Sequence, residues 1–87
     1  MNVVHDTQQK QFVVELEADN AFVKYRMLNE HDVDFYSTFV PRSARGKGIA
    51  EKLVDEALQW ARDEAFQLHA SCWYVEKRLA EQAKLNN

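Results

Sequence analysis

The hydrophobic period of this chain first changes from two residues to about 3.6 across Arg45-Gly46-Lys47-Gly48-Ile49-Ala50. Both glycines of the 87-residue sequence fall in that stretch. Before it runs the alternation of a strand; after it runs the stripe of an amphipathic helix. The chain must therefore turn from strand to helix here, with its backbone bared at the turn. Small residues expose N–H groups, and a helix N-terminus carries roughly half a positive charge. Arg42, Arg45 and Lys47 add cations, and no acid lies between Asp34 and Glu51. The junction reads as an anion site, most naturally for phosphate.

Upstream, Phe12, Val14 and Leu16 alternate with Glu15 and Glu17 over residues 11–17. Asp19-Asn20 supplies turn chemistry, and residues 21–28 alternate again, with Ala21, Val23, Tyr25 and Met27 opposite Lys24 and Arg26. Two such runs around a short polar turn signal a hairpin. A second turn at residues 29–32 leads to residues 33–40, rich in β-formers and closed by Pro41. Strict alternation there puts Val33, Phe35, Ser37 and Phe39 on one face, and Asp34, Tyr36, Thr38 and Val40 on the other. From Gly48 to about Phe66 the helical stripe is Ile49, Leu53, Ala57 and Trp60, widened by Ala50, Val54, Leu58 and Ala61. A short strand over residues 67–72 and a second helix over residues 73–85 complete the pattern. The predicted order is βββαβα, an α+β or α/β arrangement. It combines a three-strand antiparallel meander, one parallel crossover pair and two helices.

A chain of this length makes one domain, residues 1–87, and hides only about 60% of its surface on folding. Residues 1–10 are polar and are expected to be loosely ordered. With 46% hydrophobic residues the chain has enough for one core. A net charge of −3 and a pI near 5.5 argue against a nucleic-acid binder. There is no signal-peptide pattern and no apolar run near the ~20 residues of a membrane span. A single cysteine forms no internal disulfide, so the expectation is a soluble protein of a reducing cytoplasm. No metal-ligand spacing is evident.

The glycine loop is not a Walker A loop, because the GxxxxGK[ST] spacing is absent. It lacks the third glycine of the dinucleotide fingerprint and the helical flanks of a GxxG nucleic-acid clamp. It does match [QR]-x-x-G-x-[GA], the pyrophosphate motif of the GNAT superfamily of N-acyltransferases, through Arg45, Gly48 and Ala50. Thr38-Phe39-Val40-Pro41 with Arg45 to Ala50 also reproduces T-x-V-P-x-x-x-R-G-x-G-I-A, so the chain resembles the small single-domain GNAT-like proteins. Cys72-Trp73-Tyr74-Val75, after the last strand, is similar to the same group. The resemblance spans roughly residues 12–80.

The resemblance implies acetyl-coenzyme A as the bound cofactor. Backbone N–H groups of Gly46, Lys47, Gly48, Ile49 and Ala50 would ring the pyrophosphate, with Arg42, Arg45 and Lys47 adding charge-assisted contacts. Phe39 and Val40 would hydrogen-bond the pantetheine amides through their backbone. The implied reaction is acetyl transfer from the thioester to an amine acceptor, a small molecule or a protein, by direct attack or through Cys72. Two departures bear on catalysis: Ser37 stands where many members have histidine, and the arms with which larger enzymes build an acceptor pocket are missing. A non-catalytic acyl-coenzyme A sensor, carrier or interaction module is the alternative.

Cys72 at the start of a helix favours a thiolate and would accept an acyl group or protonate coenzyme A; the competing role is a small buried filler. Tyr74 is a second acid candidate, against simple packing of its ring. His31 sits in a turn and His69 faces away from Cys72, so each reads as structural or solvated. Ser37 is a poor base unaided. Nothing in the sequence singles out Glu30, Asp32 or Asp34 as a base, and Trp60 and Trp73 read as core.

Overall fold

Alternating residues between positions 11 and 39 form three antiparallel strands, and the computed structural model describes residues 1–85. The elements are β1 (Val4–Asp6), β2 (Gln11–Val14), β3 (Ala21–Met27), β4 (Asp32–Phe39), a one-turn 3-10 helix (Arg42–Ala44), α1 (Ile49–Asp63), β5 (Gln67–Ala70) and α2 (Trp73–Leu85). They build one mixed sheet in the order β1-β2-β3-β4-β5. Its first three pairings are antiparallel, and β4 with β5 is parallel.

Observed and expected orders differ at the N-terminus: the chain is ββββαβα, with five strands. The extra strand lies inside the segment expected to be loosely ordered. Its anchor is His5, which stacks on Phe12 at 4.1 Å and meets the Trp60 edge at 4.8 Å. The His5 Nε2 lies 2.6 Å from the Tyr25 hydroxyl. A polar segment thus joins the sheet through one aromatic-sized residue, which hydropathy alone does not register.

α1 lays its stripe on the sheet: Leu53, Val54, Ala57, Leu58 and Ala61 are fully buried against Val23, Val33 and Phe35. Each large side chain removed from water in this way contributes about 1.5–3 kcal/mol. The helix ends in a Schellman turn, with Ala65 in the left-handed region at φ 60. There Phe66 donates its N–H to Ala61 and Ala65 donates to Arg62, both at 2.9 Å. α2 packs beside α1, where Arg78 grips Asp55 in a two-pronged ion pair at 2.7 and 2.8 Å.

Strict alternation fails in β4. Lys24 pairs with Ser37, but the next residue, Tyr25, pairs with Phe35, so Tyr36 is an inserted residue. A bulge of this kind reverses the faces beyond it. Ser37 and Phe39 therefore leave the face shared by Val33 and Phe35 and lie opposite Lys24 and Phe22. Thr38, opposite Val23, turns to the helix side.

Candidate functional site: a groove between two helix starts

β4 and β5 pair only as far as Phe35 and Ala70. β5 ends there, two residues short of the expected limit at Cys72. Beyond that point β4 runs on for four residues without a partner on that side. Two adjoining hollows fill the gap, of about 270 and 390 Å³, sharing Val40, Arg45, Ala50 and Tyr74. The first reaches Gly46, Gly48, Ile49 and Glu51 at the start of α1. The second reaches Thr38, Phe39, Cys72 and Trp73 at the start of α2. Together they make one groove that joins the glycine loop to the cysteine.

At the loop end both glycines take left-handed backbone, φ 81 at Gly46 and φ 78 at Gly48. A Cβ added at either would meet nothing within 4 Å. Glycine is needed there for the turn, and the space above it is open to a ligand. Gly48 is the N-cap of α1 and has no side chain with which to cap it. The first hydrogen bond of the helix runs from Lys52 N–H to the Gly48 carbonyl, 3.1 Å. The N–H groups of Ile49, Ala50 and Glu51 precede that bond and have no acceptor within the helix.

The cations divide around the loop. Arg45 lines the groove and donates through Nε to the Val40 carbonyl at 3.0 Å, tying the loop to the end of β4. Lys47 points to the other side, lining a hollow of about 520 Å³ with Val14, Leu16 and Ile49. That hollow is larger than either part of the groove, but Glu15 stands in its wall and neither glycine of the loop lines it. Arg42 is exposed on the 3-10 helix and lines none of these hollows. Glu51 brings a carboxylate into the groove wall, a feature that inspection of the loop alone did not weigh.

At the other end, Cys72 is half-buried and its Sγ lies 3.5 Å from Thr38 Oγ1 across the groove. Its carbonyl accepts the Glu76 N–H at 3.0 Å, the first hydrogen bond of α2. Burial, with the charge of Glu51 beside it, pushes the Tyr74 phenol above its ordinary value, so it keeps its proton at neutral pH. Trp73, expected in the core, is instead 71% exposed at the rim of the groove.

Ser37 lies on the opposite face of the sheet from the groove, paired with Lys24. His69 is also turned that way and bonds Asp32 at 2.7 Å. The residue that pattern reading missed is Asp34, the one charged side chain among the described residues that is buried, at 4% exposure. Burial raises its carboxyl, but donors from Ser71 and Arg26 outweigh that and hold it below the usual carboxylate range. Alternation places it on the face opposite Val33 and Phe35, and nothing in the sequence distinguishes it from Glu30 or Asp32. Only the approach of Arg26 and Ser71 makes it buried.

A strand-to-helix glycine loop with uncapped donors, opening on a split between parallel strands, is the geometry that invites comparison with known folds. Residues 11–87 match the model of the family described as GCN5-related N-acetyl-transferase. The chain belongs to this family. Protein NATD1 of Mus musculus is 37% identical over 83 residues, covering 93% of this chain and 76% of the relative. The Homo sapiens protein of that name is 36% identical, with 93% and 74% covered. The Danio rerio protein is 32% identical, with 93% and 76% covered. The match to the family model begins at Gln11, after the end of β1.

Proposed function

We propose that the chain binds acetyl-coenzyme A in the groove and passes the acetyl group to an amine. One observation carries the reading: the uncapped start of α1 and the Cys72–Tyr74 segment face a single continuous groove along the unpaired edge of β4. The N–H groups from Gly46 to Ala50 hold the pyrophosphate, and Arg45 adds charge from the wall. Arg42 and Lys47, exposed beside the loop, contribute long-range attraction. The β4 edge at Phe39 and Val40, where Arg45 Nε already holds the Val40 carbonyl, offers the pantetheine amides the pairing mode of an added strand.

Acetyl-coenzyme A supplies an acetyl group activated as a thioester. In direct transfer the amine forms the new C–N bond at the carbonyl carbon as the C–S bond breaks. Tyr74, which burial keeps protonated, hands its proton to the departing thiolate as the proton released by the amine nitrogen returns to the phenol, so that amide and thiol leave with the tyrosine neutral again. In the stepwise route the Cys72 sulfur takes the acetyl first, and the amine then displaces it, returning the thiol.

A module that binds without turnover is the second reading, and one observation favours it. The end of the groove lined by Thr38, Cys72, Trp73 and Tyr74 has neither carboxylate nor imidazole to accept a proton. Calorimetric titration with acetyl-coenzyme A, followed by intact mass of the protein and of added amines, separates the two. Binding with acetylated Cys72 or amine supports transfer, and binding alone supports the module. No heat at millimolar ligand would remove both.

A further inference from the structure

The parting of β4 and β5 has a specific cause on the face of the sheet away from the groove. Gln67 donates its N–H to the His31 carbonyl at 2.8 Å. A parallel ladder repeats that bond at every second residue. His69 and then Ser71 are therefore the next donors in register, and Ser71 falls to the Phe35 carbonyl. The ladder does not continue in that way. The Ser71 N–H goes to Asp34 Oδ1 at 2.9 Å, and its hydroxyl donates to Asp34 Oδ2 at 2.8 Å. The Phe35 carbonyl is left to the next residue and accepts the Cys72 N–H at 3.1 Å.

A side-chain carboxylate thus takes the place of a strand carbonyl, and β5 slips by one residue where it leaves the sheet. Arg26 completes the clamp from β3, with Nε at 3.0 Å and a terminal nitrogen at 2.9 Å from Asp34 Oδ2. The slip is what makes Cys72 the residue whose carbonyl opens α2. It lies just past the last paired residues of β4 and β5, next to Tyr36, where β4 shifts register against β3.

We propose that Asp34 is the positioning residue that diverts β5 at Ser71, holds the strands apart and sets Cys72, Trp73 and Tyr74 as the wall of the groove. Its bearing on ligand affinity rests on the acetyl-coenzyme A reading above; its bearing on the backbone does not. Asp34 touches no ligand itself, because it lies on the opposite face. Its charge is held by Arg26 and Ser71, while the neighbouring Asp32 is engaged by His69.

Amide hydrogen exchange and coenzyme A titration of Asp34→Ala, Asp34→Asn and Ser71→Ala test this. In Asp34→Ala the Ser71 and Cys72 amides should exchange about tenfold faster, the size of a lost charge-assisted hydrogen bond. The amides of Val23 and Leu53 should keep their wild-type rates, and coenzyme A should bind about tenfold more weakly. Asp34→Asn keeps the side-chain volume and one acceptor oxygen, and should fall between Ala and wild type. Ser71→Ala keeps the amide bond and should change exchange by only about threefold. Wild-type exchange at Ser71 and Cys72, or equal acceleration at every amide, would overturn the proposal. If Asp34→Ala does not fold, the Asn and Ser71 variants give the same readouts. Should wild type show no affinity for coenzyme A, the earlier reading fails while the exchange experiment still decides the role of Asp34.

Discussion

At the β4–α1 junction the backbone turns on Gly46 and Gly48, both left-handed, whereas at the β5–α2 junction it turns on Ser71 and Cys72, anchored by the Asp34 carboxylate. Both junctions start a helix against the same groove. The first has no side-chain cap, so Ile49, Ala50 and Glu51 present N–H groups that are open to water or to a ligand. At the second, the Ser71 N–H goes to Asp34 and the Cys72 N–H to Phe35 before the helix begins, while the N–H groups of Trp73, Tyr74 and Val75 have no acceptor within the helix, as at α1. The difference lies in the side chains at each start: two glycines leave the approach to α1 bare, whereas Cys72, Trp73 and Tyr74 stand along the groove at the start of α2. On the proposed reading, affinity belongs to the bare junction and chemistry to the one that carries side chains.

The strongest way to break that division is Gly48→Glu. The carboxylate would occupy the open space above the loop and repel phosphate, so coenzyme A affinity should fall on the order of a hundredfold. The left-handed backbone costs a non-glycine residue about 1–2 kcal/mol, leaving the variant folded but somewhat less stable. Calorimetry with thermal melting checks both, and unchanged affinity would place the phosphates elsewhere.

Cys72→Ser probes the other junction. Acetyl transfer should fall about tenfold or more if the sulfur carries the group, while coenzyme A affinity stays within about twofold. Alkylation of Cys72 should also slow when coenzyme A is bound, because the ligand fills the groove in front of the sulfur. A rate indifferent to ligand removes Cys72 from the mechanism.

Salt sharpens the contrast. Raising ionic strength from about 0.05 to 0.5 M should weaken binding several-fold, on the order of fivefold, as charges at the exposed loop are screened. Lys47→Gln should flatten that dependence without altering the Cys72 alkylation rate.

The smallest effect is on stability against pH. The folded Asp34 carboxyl lies below its ordinary value of 3.8. Its contribution is therefore fully present above that pH and is lost as the pH falls through the lower folded value. Wild type should melt above Asp34→Ala at neutral pH, with the gap closing as the solution is acidified below about 4. The shifts of Asp32 and Asp55 have the same sign but occur in both proteins, so they cancel in the difference. A gap that persists unchanged in acid would mean that the charge of Asp34 contributes nothing.

Much of this was legible in the residue pattern. The strand-to-helix switch at Gly46–Gly48, the parallel pair and α2 over residues 73–85 follow from period, glycine placement and composition, all of which are local quantities. The α1 stripe is legible for the same reason: its spacing is fixed by helix geometry. Less legible was which cations face the groove, because a side chain two residues from another points elsewhere on a turning loop. Arg45 and Lys47 part company on those grounds alone. β1 was hidden because its anchor is a histidine.

By itself, then, the sequence determined the order of β2 to α2, the helix stripe, the glycine turn and the presence of a cysteine after the last strand. Each of these depends on neighbours within about one turn of helix or a few strand residues. Tertiary structure alone decided the inserted Tyr36, which moves Ser37 and Phe39 to the other face. It also decided the burial of Asp34 and the one-residue slip that brings Cys72 within 3.5 Å of Thr38. Those outcomes depend on which backbone donor meets which acceptor across strands far apart in sequence. A single carboxylate competing for one N–H changes the register of everything after it, and no pattern read along one strand contains that competition.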